Sequence, residues 1–427
     1  MDVLPLIIAL IIALLVGVPI GIAMGLCSLV FILDNGLPLS QLPQICYGSA
    51  DTLVLIAIPM FLLAGTLMEK GGLTRRLVDL SDIIVGNTHG GLGAVAILAC
   101  TFFAAISGSG PATTAAIGAL LVPEMKKRGY PGGYAGGVVA SAGGIGIVIP
   151  PSIPLIMYSI MAEKSASRLF LAGFLPGLLL AVFLLFFNYQ LSKRKGYRRS
   201  GTVFSFKHLA SQIWKSKSAL FAPIVILGGI YTGITTVTEA SAIAVLYALV
   251  TGAFVYKELN LKRTWEALVV ALRIAGVSFI LLASGQILAR QLTVANVPDL
   301  MTQAIFSITE NRTLVLLMVI GLLIFIGMWM ETIAQIIILT PVFLPVMDAI
   351  GVSPIHFGII FVVACEIGFQ TPPLGANLFI AKELGDATYE EVAKVGLLFA
   401  VAEISALVII ALVPQISVFL PNLLMGV

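Results

Sequence analysis

Charge is what this sequence has least of. Only 11% of its 427 residues are Asp, Glu, Lys or Arg, against about 25% in a soluble domain. A soluble globule of this size could not cover its surface with so few charges, and hydrophobic residues reach 59% instead. This composition excludes disorder, collagen, coiled coil and nucleic-acid binding. Cysteine is also scarce. Cys27, Cys46, Cys100 and Cys365 show no CxxC spacing, and three lie in apolar runs, so they read as packing residues rather than disulfide or metal partners. The three histidines, His89, His208 and His356, are scattered and form no HExxH. No GxxxxGK[ST] occurs, which argues against direct ATP drive. Gly108-Ser109-Gly110 lacks a GxSxG elbow and a partner base, so the chain is not expected to be an enzyme. The N-terminus carries Asp2 instead of a basic segment, and its apolar stretch 3–33 is too long for a cleaved signal peptide.

Long apolar runs are what the sequence has in abundance. They fall at 3–33, 52–68, 91–122, 134–161, 169–190, 219–237, 240–256, 264–289, 313–345, 355–381 and 395–420. Most suit one helical crossing of a bilayer core about 30 Å thick, and no alternating barrel pattern competes with them. Segments 91–122 and 313–345 are broken midway, by Ser107-Gly108-Ser109-Gly110-Pro111 and by Gly327 to Thr332. Irregular backbone at membrane depth must be satisfied by protein or water. Both therefore read as re-entrant helical hairpins, the alternative being one long tilted helix each. With the hairpins re-entering and the rest crossing, twenty of the 24 Lys and Arg fall on one side, eight of them between Lys193 and Lys217. Lys164, Arg168, Arg290 and Arg312 fall on the other. The positive-inside rule makes the first side cytoplasmic, which gives nine crossings, a cytoplasmic N-terminus and a C-terminus outside.

Shifting the chain by 222 residues lays 109–158 on 331–380 with ten identities in fifty positions. Six of the ten are Gly or Pro, which report backbone shape: Pro123/Pro345, Gly129/Gly351, Gly136/Gly358, Gly146/Gly368, Pro150/Pro372 and Pro151/Pro373. Each copy reads as a hairpin, a short loop and a helix broken at Gly-x-x-x-Pro-Pro. Five crossings separate the copies, so they are inverted in the membrane. Inverted repeats with discontinuous helices are the arrangement expected of a secondary transporter, whose site lies where the breaks meet. A channel is the alternative, but no filter sequence is evident.

The two Pro-Pro pairs should unwind their helices, because proline removes an N–H and blocks the carbonyl four residues back. Freed carbonyls are hard oxygen donors suited to sodium. Hydroxyls at Ser107, Ser109, Thr332 and Thr371 supply the complement. The half-helix starting at Pro111, with Thr113 and Thr114 near its N-terminus, favours an anionic group. Pro kinks repaired by neighbouring groups remain the alternative. Among intramembrane polar residues, Glu331 could bind an ion or cap the following half-helix. Glu366 could face the cavity or anchor the interior, and Asn377 could touch substrate or its own backbone. Thr238 reads as a helix N-cap with Glu239 in the first turn.

These residues also resemble the large membrane subunit of tripartite ATP-independent periplasmic (TRAP) transporters, over essentially the whole chain. The resemblance is carried by Ile58-Pro59-Met60-Phe61-Leu62-Leu63-Ala64-Gly65 with Gly71-Gly72, Ser107-Gly108-Ser109-Gly110-Pro111-Ala112-Thr113 and Ile149-Pro150-Pro151-Ser152. Ala172-Gly173-Phe174-Leu175-Pro176-Gly177, Gly228-Gly229-Ile230-Tyr231 with Thr238-Glu239-Ala240, Thr371-Pro372-Pro373-Leu374-Gly375 and Pro421-Asn422-Leu423-Leu424 add to it. The C4-dicarboxylate-type branch is most similar. The resemblance implies sodium-driven uptake by elevator movement, a separate small four-helix membrane subunit as partner rather than a fusion, and a periplasmic binding protein that delivers an organic acid such as a C4-dicarboxylate or sialic acid. It also implies sodium ligands at Ser107, Ser109, Gly146, Val148 and Pro150 in one site, and at Gly327, Glu331 and Thr371 in the other.

The expected fold is thus an all-α polytopic membrane protein of the elevator type, in the bacterial inner membrane, with inverted repeats that each carry a hairpin and a Pro-Pro-broken helix. Residues 1–50 form an N-terminal scaffold helix and connection. Repeat 1 of the transport core is 51–168 (hairpin 91–122, broken helix 134–161). Scaffold helices follow at 169–263, with the basic loop 191–218. Repeat 2 is 264–390 (hairpin 313–345, broken helix 355–381), and 391–427 is a C-terminal helix. Sodium is expected between each tip and its broken helix, with a carboxylate beside Ser109, Thr113, Thr114 and Asn377. Proton coupling or a passive pore are the alternatives.

Overall fold

A computed structural model describes residues 4–197 and 205–426. Arg198 and Arg199 of the basic loop lie outside the described residues, as does Asp2. All regular structure among the described residues is helical. The apolar stretch expected as one span at 3–33 is two helices, α1 (Leu4–Leu15) and α2 (Ile20–Asp34). Gly17 at φ +86 and Pro19 part them. After α3 (Gln41–Ala50), a 3-10 turn leads into α4 (Ala57–Lys70) and then α5 (Leu73–Val85).

The first hairpin is α6 (Gly91–Ser107) and α7 (Gly110–Lys127), packed on one another. The broken helix follows as α8 (Gly132–Gly144), a 3-10 turn at Ile145–Ile147, and α9 (Ile153–Met161). The long α10 (Ala166–Lys195) comes next. The amphipathic α11 (Phe206–Lys215) is bent by 61° from α12 (Lys217–Tyr231). Then come α13 (Val237–Val250), α14 (Leu261–Val294) and α15 (Val297–Ile308). The second hairpin is α16 (Arg312–Gly327) and α17 (Thr332–Ala349). The second broken helix is α18 (Pro354–Phe369) and α19 (Ala376–Gly385). The span expected at 395–420 divides into α20 (Tyr389–Leu412) and α21 (Gln415–Met425), with Pro414 at the joint. The cap expected at Thr238 is at Thr236, whose hydroxyl accepts from Glu239 N while Glu239 accepts from Thr236 N. Thr238 instead donates to Leu53 O. Among the described residues six helices are long and apolar enough to cross a membrane, or seven counting the bent pair.

The repeat is longer than the fifty residues that carry identities. The starts of α16, α17, α18, α19 and α20 follow those of α6, α7, α8, α9 and α10 by 221, 222, 222, 223 and 223 residues. The two broken helices form the heart of the molecule: every residue of α8 after Gly132 and of α18 after Ile355 is buried. They are joined across the repeats where Tyr158 donates to Pro354 O at 2.8 Å. The outer helices carry large exposed apolar side chains, among them Leu15, Leu246 and Ile280, as lipid-facing surfaces require. The packing also bears on where bodies divide. α10 lies against α6, α9, α18, α20 and α21. It approaches the first break so closely that a Cβ on Gly173 would stand 2.5 Å from Val148 O. α4 packs on α13 and α14 and also on α6, and α14 packs on α2, α3 and α17.

Candidate functional site

The first tip is built from three residues. Gly108 at φ +64 closes α6, a conformation that favours glycine. Ser109 is extended, and its hydroxyl accepts from Ala112 N, capping α7. Ser107 Oγ lies 2.6 Å from Thr113 Oγ1, and Thr113 donates to Ser109 O at 2.8 Å. The first break faces this tip. Pro150-Pro151 is a cis peptide bond. Ser152 caps α9 by accepting from Leu155 N and donates to Ile147 O. Ile153 N donates to Gly108 O at 3.2 Å, tying break to tip. Gly146 completes the contact: a Cβ there would come within 2.6 Å of Thr113 Oγ1 and 2.9 Å of Ser109 O.

The second tip repeats the plan with different side chains. Glu331 stands at the position equivalent to Ser109 and caps α17, accepting from Ile333 N at 2.9 Å and Ala334 N at 3.2 Å. Pro372-Pro373 is cis. Thr371 Oγ1 donates to Ile367 O at 2.5 Å, and Leu374 N donates to Met328 O at 3.4 Å, which ties this break to its tip at positions one to two residues from those of the Ile153–Gly108 tie. Gly368, the counterpart of Gly146, meets the end of α16: its Cβ would stand 2.5 Å from Ile324 O and 2.7 Å from Gly327 Cα. In both repeats the glycine four residues before Pro-Pro is therefore where the tip seats.

Between the tips lies a cavity of about 460 Å³. Gly108 to Ala112 line it from the first tip, Glu331, Thr332 and Ile333 from the second, and Glu366 and Phe369 from α18. Its far wall is Thr66 and Glu69 of α4 with Val270, Ile274 and Ser278 of α14. The N-termini of α7 and α17 both border it, which favours negative charge. Yet its ionisable lining is three acids, Glu69, Glu331 and Glu366, and among the described residues no Lys, Arg or His lines it. Glu69 also lines a second cavity with Lys70, Arg75 and Arg263. The separate cavity with Gln44, Glu163 and Arg290 shares no residue with the central one.

The structure brings Ser107, Ser109 and Gly146 together at the first tip and break. Glu331 and Gly327 lie at the second tip, and Thr371 at the second break. The Val148 carbonyl lies against Gly173 of α10, and Pro150 sits in the cis bond. Of the expected substrate contacts, Ser109 lines the cavity, whereas Thr113, Thr114 and Asn377 are fully buried and do not. Thr114 faces Gly143. Asn377 donates to Glu366 Oε1 at 2.8 Å and so positions a carboxylate that does line the cavity. Among the described residues no group of three His, Cys, Asp or Glu converges. The donors at the tips are hydroxyls, carbonyls and one carboxylate, a hard oxygen set. Three features escaped sequence reading: Glu69, Thr66 and the buried pair in which Gln370 donates to Glu403. A lone acid in the middle of an apolar span was the available signal for Glu403.

Residues 7–416 match the model of the family described as the tripartite ATP-independent periplasmic transporter, DctM component. The chain is 41% identical over 395 residues to the isethionate TRAP transporter permease protein DctMQ of Oleidesulfovibrio alaskensis. That match covers 92% of this chain and 62% of the longer relative. It is 36% identical to the C4-dicarboxylate TRAP transporter large permease protein DctM of Pseudomonas aeruginosa, over 88% of each chain. It is 34% identical to the sialic acid TRAP transporter large permease protein SiaM of Vibrio cholerae, over 93% of this chain and 95% of that one. Among solved structures, the Alcanivorax borkumensis YdaH transporter shares the fold, with TM-score 0.64 and 15% identity over 87% of this chain and 86% of that one.

Proposed function

The chain belongs to the DctM component family of tripartite ATP-independent periplasmic transporters, and from that membership we propose sodium-coupled secondary uptake of an organic acid by an elevator mechanism. One observation carries the sodium reading. The central cavity offers an anion two helix N-termini but no basic side chain, its ionisable lining among the described residues being acidic throughout. An organic anion entering it needs cations alongside. The hard oxygen donors for them are at Ser107, Ser109, Gly146, Val148 and Pro150 in one repeat, and at Gly327, Glu331 and Thr371 in the other. Sodium seated there joins tip to break and presents positive charge to the anion from both ends of the cavity.

The division expected from sequence put α4, α5, α14 and α15 in the core and α10 in the scaffold; the sliding body in this reading is instead α6–α10 with α16–α21. It includes α10, in line with that helix's packing, and moves against α1–α5 and α11–α15. The path shared through Glu69 with the basic-lined cavity is the cytoplasmic exit. The partners are a small four-helix membrane subunit, docked on the exposed apolar scaffold, and a periplasmic binding protein that delivers an organic acid of the kind its relatives are named for. The location is the bacterial inner membrane, with the N-terminus inside and the C-terminus outside. Uptake into proteoliposomes carrying the complex tests the proposal. Accumulation should require an inward sodium gradient, and accumulation driven equally by a choline gradient would refute it.

A further inference from the structure

The long α14 runs past three cavities. Arg263 and Glu266 line the one that shares Glu69 with the centre. Val270, Ile274 and Ser278 line the central one. Gln286, Ala289, Arg290 and Thr293 line the third, of about 610 Å³. Steps of three or four residues carry one helix face through all of them, and the step that lines none is the buried Leu282. One turn on, Ile337 of the second hairpin packs on Gly285 so closely that a Cβ there would collide with its Cγ2. The packing of α17 on α14 therefore stands between the central and third cavities, and Arg290 lies about 24 Å along the helix from Ile274.

The third cavity supplies the donors that the central one lacks. Arg290 lines it and is exposed, and the ion pairs among the described residues all lie elsewhere. Gln41 Nε2, at the start of α3, is buried without a hydrogen-bond partner. Gln286 Nε2 donates to the Met161 thioether at 3.1 Å, a weak acceptor. A guanidinium and two carboxamides thus border one space without a strong acceptor in the protein, an arrangement suited to a ligand with several anionic oxygens. Glu163 is the single acid of the lining.

We propose that the third cavity is a staging site for the organic anion, where Arg290 binds its carboxylate or sulfonate and Gln41 and Gln286 donate to it before it passes Ile337 into the central cavity. This rests on the transport reading above, which places Arg290 on the outer side, and adds to it a station that holds the anion without sodium.

The test introduces a thiol beside Arg290 as Thr293→Cys, in the Cys46→Ser background, the other three native cysteines being buried. Its labelling is followed in the full-length chain in nanodiscs, with an anionic sulfonatoethyl and a cationic trimethylammonioethyl methanethiosulfonate. Isethionate, succinate and N-acetylneuraminate, the kinds of acid relatives are named for, are the competing probes. The ratio of anionic to cationic labelling rates should fall about tenfold or more in Arg290→Gln. At least one probe should slow labelling equally in NaCl and in choline chloride, with its half-maximal concentration raised about tenfold in Arg290→Gln and several-fold in Gln286→Leu. No protection by any of the three, or protection unmoved in both variants, would overturn the proposal. So would protection that requires sodium, which puts the anion in the central cavity and leaves the transport reading standing. Failure of that reading shows separately, as uptake indifferent to a sodium gradient.

Discussion

Replacing Gly146 by alanine probes the seat of the first tip with a single methyl group. The new Cβ would stand 2.6 Å from Thr113 Oγ1, 2.9 Å from Ser109 O and 3.1 Å from Thr113 Cβ. Ser109 O is backbone at the tip itself and cannot turn aside. Thr113 Oγ1 is bound to Ser107 at 2.6 Å and to Ser109 O at 2.8 Å, so moving it breaks the contacts that shape the tip. Overpacking of this kind costs about 1–3 kcal/mol, and the lost hydrogen bonds bring the loss toward the upper part of that range. If sodium binds between tip and break, a loss of about 2–3 kcal/mol falls on the sodium-bound state and weakens sodium by roughly 30- to 150-fold. The assay is thermal unfolding of the purified chain, titrating NaCl against choline chloride at constant ionic strength. Gly276→Ala in α14 is the control, since a Cβ there meets nothing within 4 Å. A folded Gly146→Ala protein with the wild-type sodium midpoint would refute the reasoning.

The remaining predictions concern single contacts. Glu331→Gln keeps an oxygen to accept from Ile333 N and so costs at most about 1 kcal/mol of cap stability, but it should weaken sodium in the same titration by about tenfold or more through loss of the charge. Glu403→Ala strands the amide of Gln370 in the interior and should lower stability by about 1–3 kcal/mol, seen as a lower Tm in sodium-free buffer; Glu403→Gln should recover most of it. Thr114 carries a buried hydroxyl without a partner and does not line the cavity, so Thr114→Val should leave anion affinity intact and raise Tm slightly or not at all. An anion affinity reduced several-fold would return Thr114 to the site.

The parts of the fold that were legible in the sequence are those punctuated by Gly and Pro. The tip at Ser107-Gly108-Ser109 and the breaks at Pro150-Pro151 and Pro372-Pro373 constrain backbone whatever surrounds them, so both hairpins and both broken helices were readable. The extension of the repeat to α10 and α20 was not, because a buried or lipid-facing helix position accepts almost any apolar residue and identity drifts. Some misses had signals at hand. Gly17 and Pro19 divide the first apolar stretch, Pro414 divides the last, and Thr236-Val237-Thr238-Glu239 spells a capping box that starts two residues before Thr238. The rotation of α7 was the harder matter. Ala112 and Ala115 face the cavity while Thr113 and Thr114 turn to Gly146 and Gly143, and composition near a helix N-terminus does not reveal which face is which. Glu69 lies far along the chain from the tips, and only tertiary packing brings it to their cavity.

The central claim is that sodium supplies the positive charge that the cavity's own side chains lack. Linkage makes this measurable without transport, since a cation that favours anion binding must itself be bound more tightly when the anion is present. The measurement is the affinity of the purified chain for its tightest-binding organic anion, in NaCl and in choline chloride at equal ionic strength. The account predicts binding about tenfold or more tighter in sodium, with the gain reduced in Gly146→Ala. Equal affinity in the two salts would contradict it.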